Sequence, residues 1–303
     1  ISNVMMYWPL LVALAGVFGF VLYLRRVLST TSMQVFLLLL VVLDLFAFGI
    51  NYHSTIREEL IYPETPAIQA LKNAPGIFRV VGTNIDLMPN TCMVHDLHDI
   101  RGLDFPIRRY MELCLAMGGQ DWLGYGILFT ERLQPRLLNL LNVKYVLTSS
   151  RLDPEVLHNM TLLTKDRYIK VYQNNAYLPR SFIVHRVRVA ANGEQALTML
   201  QYPEFDLRAE IVLEKSPPPD FGGSQGGSLE ASAEIVRYEP NRVTILASTA
   251  AHGFLFLSDT YYPDWKAYVD GVDTEIYQAD YAFRAVYLTA GQHTVEFVYE
   301  PRP

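Results

Sequence analysis

The densest group of side chains able to do chemistry in this 303-residue chain is the run His95-Asp96-Leu97-His98-Asp99-Ile100-Arg101-Gly102-Leu103-Asp104. Histidine and aspartate together can hold a divalent cation, and a helix here would put His95 and His98 on one face. No HExxH or related spacing accompanies them, and the run reads as a strand passing into a loop. A divalent metal is therefore compatible with the residues but unsupported by a motif, and no other cofactor is evident. A second reading makes the run a polar rim, with Arg101 gripping a phosphate or carboxylate through its planar fork, His98 close by, and Asp104 on sugar hydroxyls. The simplest reading pairs Arg101 with Asp104 to hold a turn at Gly102.

A second group is aromatic. Tyr261, Tyr262, Trp265 and Tyr268 stand beside Asp259 and Asp264, the combination of ring faces and carboxylates that holds sugars. Trp265, Ala267 and Val269 alternate, so a strand here points Trp265 into a core and leaves Tyr261 and Tyr262 in a more open loop. Arg108 and Arg109 suit a solvated surface or a lipid phosphate. The chain has no phosphate-cradling glycine loop, nucleophile elbow or zinc spacing. The candidate ligand-binding residues are thus Arg101, Asp104, His98, Tyr261 and Tyr262. No residue is assigned a catalytic role or a metal.

These groups hang from two apolar stretches, Met5–Leu24 and Met33–Ile50. Each has about the 20 residues that a helix needs to cross a bilayer. Arg25 and Arg26 lie in the short loop between them, which predicts a cytoplasmic loop, with everything from about Asn51 onward outside. Tyr7, Trp8 and Tyr52 suit an aromatic belt on that outer side, and Pro9 is expected in the first helical turn. Asp44 is read as a carboxylate near the outer end of the second span, turned toward neighbouring helices. Residues 1–52 are thus a transmembrane hairpin, with spans at about 5–24 and 33–50.

Residues 53–213 alternate helix and strand and predict an extracytoplasmic α/β domain. A helix is expected after Thr65-Pro66 and others at Arg108–Met117, Pro135–Leu141, Asp153–Asn159 and Gly193–Leu200. Strands are expected at Ile77–Gly82, Asn90–Val94, Val143–Leu147, Tyr168–Tyr172, Ser181–Val189 and Leu207–Leu213. Residues 214–230, rich in proline and glycine, read as a linker. Residues 231–303 are all strand, with Asp270-Gly271 and Ala290-Gly291 as hairpin-type turns, and predict a β-sandwich of about 70 residues. The fold class is α+β on a membrane hairpin. A formal charge of −6 gives nucleic acid no attraction. Cys92 and Cys114 are expected as buried free thiols rather than a bridge.

Asp259–Gly271 (DTYYPDWKAYVDG) and Tyr281–Pro301 (YAFRAVYLTAGQHTVEFVYEP) resemble the C-terminal outer domain of the bacterial YfhO family of multi-pass membrane proteins. Asp44–Gly49, Tyr62–Leu71, Ile100–Asp104, Leu140–Ser149 and Leu178–Val184 fit the same family, in the same order. The resemblance implies a glycosyltransferase-C-like architecture that moves a sugar, outside the membrane, from a polyprenyl-phosphate carrier to a cell-envelope polymer. It implies a catalytic acid in an early outer loop that precedes the stretch matched here, so none of these residues inherits that role. The chain then reads as the C-terminal portion of such an enzyme, shaping its acceptor side, with the bilayer, the lipid-linked sugar and the envelope glycan as partners. The alternatives are a non-catalytic outer module that binds glycan or a partner on a membrane anchor, and a tethered metal hydrolase built on His95–Asp104.

Overall fold

The computed structural model describes residues 3–50, 52, 56–57, 60–121, 126–129, 132–222 and 230–301. The chain divides into two compact units, Ile1–Pro63 and Glu64–Pro303.

The first unit is a pair of helices, α1 (Asn3–Leu24) and α2 (Thr30–Gly49). At 1.5 Å per residue they are about 33 and 30 Å long. Both are long and apolar enough to cross a membrane, and Leu10, Leu14, Phe18, Leu38, Leu45 and Phe46 are exposed along them. Apolar side chains pointing outward all round suit lipid rather than water. Ser29 caps α2 by accepting from the Ser32 amide at 3.1 Å. The helices approach closely at Gly19, where a Cβ would meet the Phe36 ring. Trp8 Nε1 donates to Asp44 Oδ1 at 2.9 Å, so the carboxylate faces the neighbouring helix as expected. Pro9 lies inside α1 rather than in its first turn, because the helix begins at Asn3.

The second unit is α+β. Its first half contains α3 (Pro66–Lys72), β1 (Arg79–Gly82), α4 (Thr91–Val94), β2 (His98–Asp99), α5 (Arg108–Ala116), β3 (Gln120–Asp121), β4 (Ile127–Leu128), α6 (Pro135–Leu140), β5 (Val143–Thr148) and α7 (Pro154–Leu157). There follow β6 (Met160–Lys165), β7 (Lys170–Asn174), β8 (Ser181–Val184), β9 (Arg186–Val189), α8 (Gly193–Gln201) and β10 (Glu210–Leu213). The second half is β11 (Ala231–Glu239), β12 (Arg242–Thr249), β13 (Gly253–Thr260), β14 (Trp265–Val269), β15 (Val272–Thr274), β16 (Tyr277–Ala279), β17 (Phe283–Leu288) and β18 (Gly291–Tyr299). Local chemistry sets the helix starts. Thr65 accepts from the Ile68 amide ahead of Pro66. At α8, Asn192 accepts from Gln195 N while Gln195 Oε1 accepts from Ala191 N, a reciprocal cap.

Three main sheets result, in the orders β2-β1-β5-β7-β6, β8-β13-β17-β16-β10-β9 and β11-β12-β18-β14-β15. The first is buried on both faces. Val80, Tyr145 and Leu147 meet Ile68 and Leu71 of α3 on one side, while Val81 and Val146 meet Leu137 and Leu138 of α6 on the other. Alternation also divides the middle sheet. Phe254, Phe256 and Phe283 join that second core, while Leu255, Leu257 and Val286 meet Val243, Ile245, Val295 and Phe297 of the third sheet. Strands from before and after residues 214–230 share this middle sheet, since β8 pairs with β13 and β10 with β16.

Several local expectations change. Asn90–Val94 is a helical turn, not a strand: Asn90 takes a φ of 70°, and the Cys92 carbonyl accepts from both His95 N and Leu97 N. Ser181–Val189 is two strands with different partners, parted at His185. Asp270 and Gly271, at φ of 53° and 80°, close the expected hairpin between β14 and β15. Ala290-Gly291 instead carries the chain from the middle sheet to the third. Alternation reports that a strand exists but not which strand it joins. The start of the proline-rich stretch is pinned, with the Phe221 ring against Phe254 and Tyr287 Oη donating to Asp220 at 2.8 Å. Cys92 and Cys114 are free and buried. Burial pushes each thiol up to about 12.

Candidate functional site

The three sheets of the second unit converge on a cavity of about 510 Å³. Its walls include Arg79 and His98 from the first sheet, Asp259 and Arg284 from the middle one with Arg180 just before its strand β8, and Tyr238 and Trp265 from the third. The hub is Asp259, which is 8 % exposed. Its Oδ1 takes Arg79 Nη2 at 3.0 Å and Arg180 Nη1 at 3.2 Å, and its Oδ2 faces Arg284 Nη2 at 3.5 Å. Tyr238 Oη donates to the same carboxylate at 3.0 Å.

Each partner is placed by its element. Arg79 opens β1 and also donates to the Leu141 carbonyl. Arg180 directly precedes β8, where its own carbonyl accepts the Ser258 amide and so ties it to the strand bearing Asp259. Arg284 is the second residue of β17, with its guanidinium 3.9 Å from the Trp265 ring centroid, a cation–π contact that fixes its plane. Tyr238 stands near the end of β11, with the Arg180 guanidinium 5.5 Å from its ring centroid.

Burial raises the Asp259 carboxyl, and the guanidiniums of Arg79, Arg180 and Arg284 more than reverse this, holding it below the ordinary carboxylate range. Burial, helped by the charge of Arg79, brings Arg180 down to about 10. His98 is lowered by burial and then by Arg180 and Arg79. Its Nδ1 lies 3.3 Å from Arg180 Nη2, and since a guanidinium only donates, His98 must accept there. The ring is therefore neutral, with its proton on Nε2.

The residues singled out from sequence separate. His98 reaches the cavity. Arg101 does not: its side chain is buried and bound to Asp99, with Nε to Oδ1 at 3.0 Å and Nη2 to Oδ2 at 2.8 Å, and it also donates to the carbonyls of Asn84 and Leu87. It braces the β1–β2 loops from within, and its carboxylate partner is Asp99 rather than Asp104, which accepts from the Phe105 amide. His95 is buried while His98 is exposed at one edge of its strand, so the two share no helical face. Among the described residues no three of His, Cys, Asp and Glu gather as a metal site would require. Trp265 packs against the core as its alternation predicts, and its ring also faces the cavity. Tyr262 is exposed and Tyr261 half-buried; they follow Thr260, a wall residue, but neither ring lines the cavity. Asp259, read as an accessory to the aromatic group, is the centre of the site.

Arg79, Arg180, Tyr238 and Arg284 were not legible as a group. The available signal was local: Arg284 interrupts the apolar run YAFRAVYL, and Arg180 precedes the apolar SFIV. A lone arginine in a strand otherwise fit for a core needs a buried partner.

Residues 228–302 match the family model described as bacterial membrane protein YfhO, consistent with a C-terminal portion of a protein of that family. The matched range contains Tyr238, Asp259, Trp265 and Arg284, whereas Arg79, His98 and Arg180 lie before it. No curated protein and no solved structure matches the chain. The family match and the two apolar helices together support a membrane location.

Proposed function

From the match to the YfhO family of bacterial membrane proteins, we propose that this chain is the C-terminal portion of a polytopic glycosyltransferase. That enzyme moves a sugar from a polyprenyl-phosphate carrier to a cell-envelope polymer. Residues 1–52 anchor the chain as a transmembrane hairpin. Residues 53–213 and 231–303 lie outside the membrane, joined by 214–230. On this reading residues 231–303 form a β-sandwich, which the two sheets packed over the Val243–Phe297 core support, with an inner sheet that also takes strands from the α/β part.

The observation that carries the reading is the cavity. Tyr238 and Trp265 supply ring faces, and Asp259 and the arginines supply polar groups fixed by one another. Saccharides are held by such pairing of apolar ring faces with preset polar groups, and pockets of several hundred Å³ hold ligands of that size. The cavity is then the acceptor side, and sugar transfer itself needs an acid from elsewhere in the enzyme.

The test is transfer. Membranes carrying the protein are incubated with envelope polymer and a radiolabelled sugar on a polyprenyl phosphate. Label is expected in the polymer only when the protein is present. Saturable binding of the polymer with no label transferred would replace the enzyme by a glycan-binding module.

A further inference from the structure

The cavity carries more positive charge than its own groups balance. Three guanidiniums, of Arg79, Arg180 and Arg284, share the single carboxylate of Asp259. The other acids on its walls, Asp96 and Glu239, are exposed at the rim, and Glu239 is paired with Arg237. His98 is neutral and adds no charge. A carboxylate serving only to tie strands together would need one arginine, since each further buried cation costs several kcal/mol in lost hydration.

The hydrogen bonds give the same imbalance. Arg180 and Arg284 are 3 % and 2 % exposed. Arg180 Nε and Arg284 Nη1 are buried and donate to no group among the described residues. An unsatisfied buried donor costs about 1–3 kcal/mol, and more on a charged group. Asp259 takes one Nη from each of the three arginines and holds the planes in place, while Arg180 Nε and Arg284 Nη1, on two residues of the cavity wall, keep no partner among the described residues.

We infer that the cavity binds a compact oxyanion, a phosphate or carboxylate group, through Arg180 and Arg284 with Arg79 beside them. Planar guanidinium forks match the paired oxygens of both groups. The Asp259 carboxylate acts as a spacer that sets the three forks apart, and stacking on Trp265 keeps Arg284 from turning away. At about 510 Å³ the cavity is far larger than one such group. The anion is therefore one part of a larger molecule, whose body lies along Tyr238, Pro240 and Trp265. The inference rests on the reading of the cavity as a ligand site and adds the charge of what it takes.

The experiment titrates the full chain in detergent with sodium phosphate and with sodium acetate by calorimetry, at an ionic strength matched with chloride. Saturable one-to-one binding of either anion is expected. Phosphate alone assigns a phosphate ester, and acetate at comparable strength assigns a carboxylate. The same anion should raise the melting temperature of the wild-type protein, a readout that needs no variant. Arg180→Met should weaken binding by about tenfold or more, equivalent to about 1.4 kcal/mol. Arg284→Lys, which keeps the charge but loses the fork, should weaken it less. Neither anion binding over chloride up to about 10 mM, weaker than ordinary specific affinities, overturns the inference. So does undiminished binding in an Arg180→Met protein that melts like wild type. Anion binding without sugar transfer overturns the enzyme reading alone, and transfer without anion binding overturns this inference alone.

Discussion

At the scale of single residues, two buried charged groups, Asp280 and Arg101, lie outside the cavity and serve the fold. Asp280 is fully buried, its Oδ2 has no hydrogen-bond partner among the described residues, and its Oδ1 accepts from the Val212 amide at 2.8 Å. Burial pushes its carboxyl up to about 7, against the lowering effect of that amide. The folded state therefore keeps a proton that the unfolded chain loses near pH 4. Between about pH 4 and 7 the folded state binds more protons, so this group makes stability fall as pH rises, by up to about 1.4 kcal/mol per unit. Asp280→Asn removes the proton and keeps the acceptor. Its stability relative to wild type should grow across that window in denaturant titrations, and a pH-independent difference would contradict the assignment. Arg101 is the opposite case. Arg101→Met leaves Asp99 buried without its partner and should destabilise by about 3–5 kcal/mol in the same titrations. Anion binding should persist wherever the variant is folded, because Arg101 is not a wall of the cavity. The sequence made Arg101 and Asp104 prominent because they are close together and polar. The cavity residues were hidden because Arg79 and Arg284 lie far apart in sequence, and only strand pairing brings them to one carboxylate.

The elements were more legible than their partners. Composition and length marked α1 and α2, and proline, threonine and glycine marked α3, since these signals act within a few residues. Asn90–Val94 was misread because Thr91, Cys92 and Val94 suit a strand, whereas the left-handed Asn90 starts a helical turn. Strand β6 was missed because much of it, including Leu162 and Leu163, is exposed and gives no buried face to alternate. In the hairpin, contact between α1 and α2 depends on a missing side chain. A Cβ on Gly19 would lie 2.4 Å from Phe36 Cε1. Gly19→Leu should force the helices apart, since close approach of small residues is what joins helices in lipid. Spin labels at Val17 and Leu38 should report a longer distance in the variant by double electron–electron resonance. An unchanged distance would mean that the helices meet elsewhere.

For the whole molecule, the two apolar helices and the match of residues 228–302 to the YfhO family model together support a membrane location. Within the second unit, the change from mixed helix and strand to strand alone was visible in the sequence. The sharing of one sheet across residues 214–230 was not visible, because hydrogen-bond partners over such separations leave no local pattern. That sharing builds the cavity, since Arg180 comes from before the connector and Asp259 and Arg284 from after it. The central claim is that this cavity receives the acceptor of a sugar-transfer reaction. The most direct measurement is the rate of transfer as the envelope polymer is titrated, in membranes carrying wild type or Trp265→Ala. Loss of the ring removes a contact surface and frees Arg284, while the reacting groups stay untouched. The account predicts that KM for the polymer rises about tenfold while kcat stays within about twofold, the pattern for lost uniform binding. A KM equal to wild type in a folded Trp265→Ala protein, or a fall in kcat at unchanged KM, would contradict it.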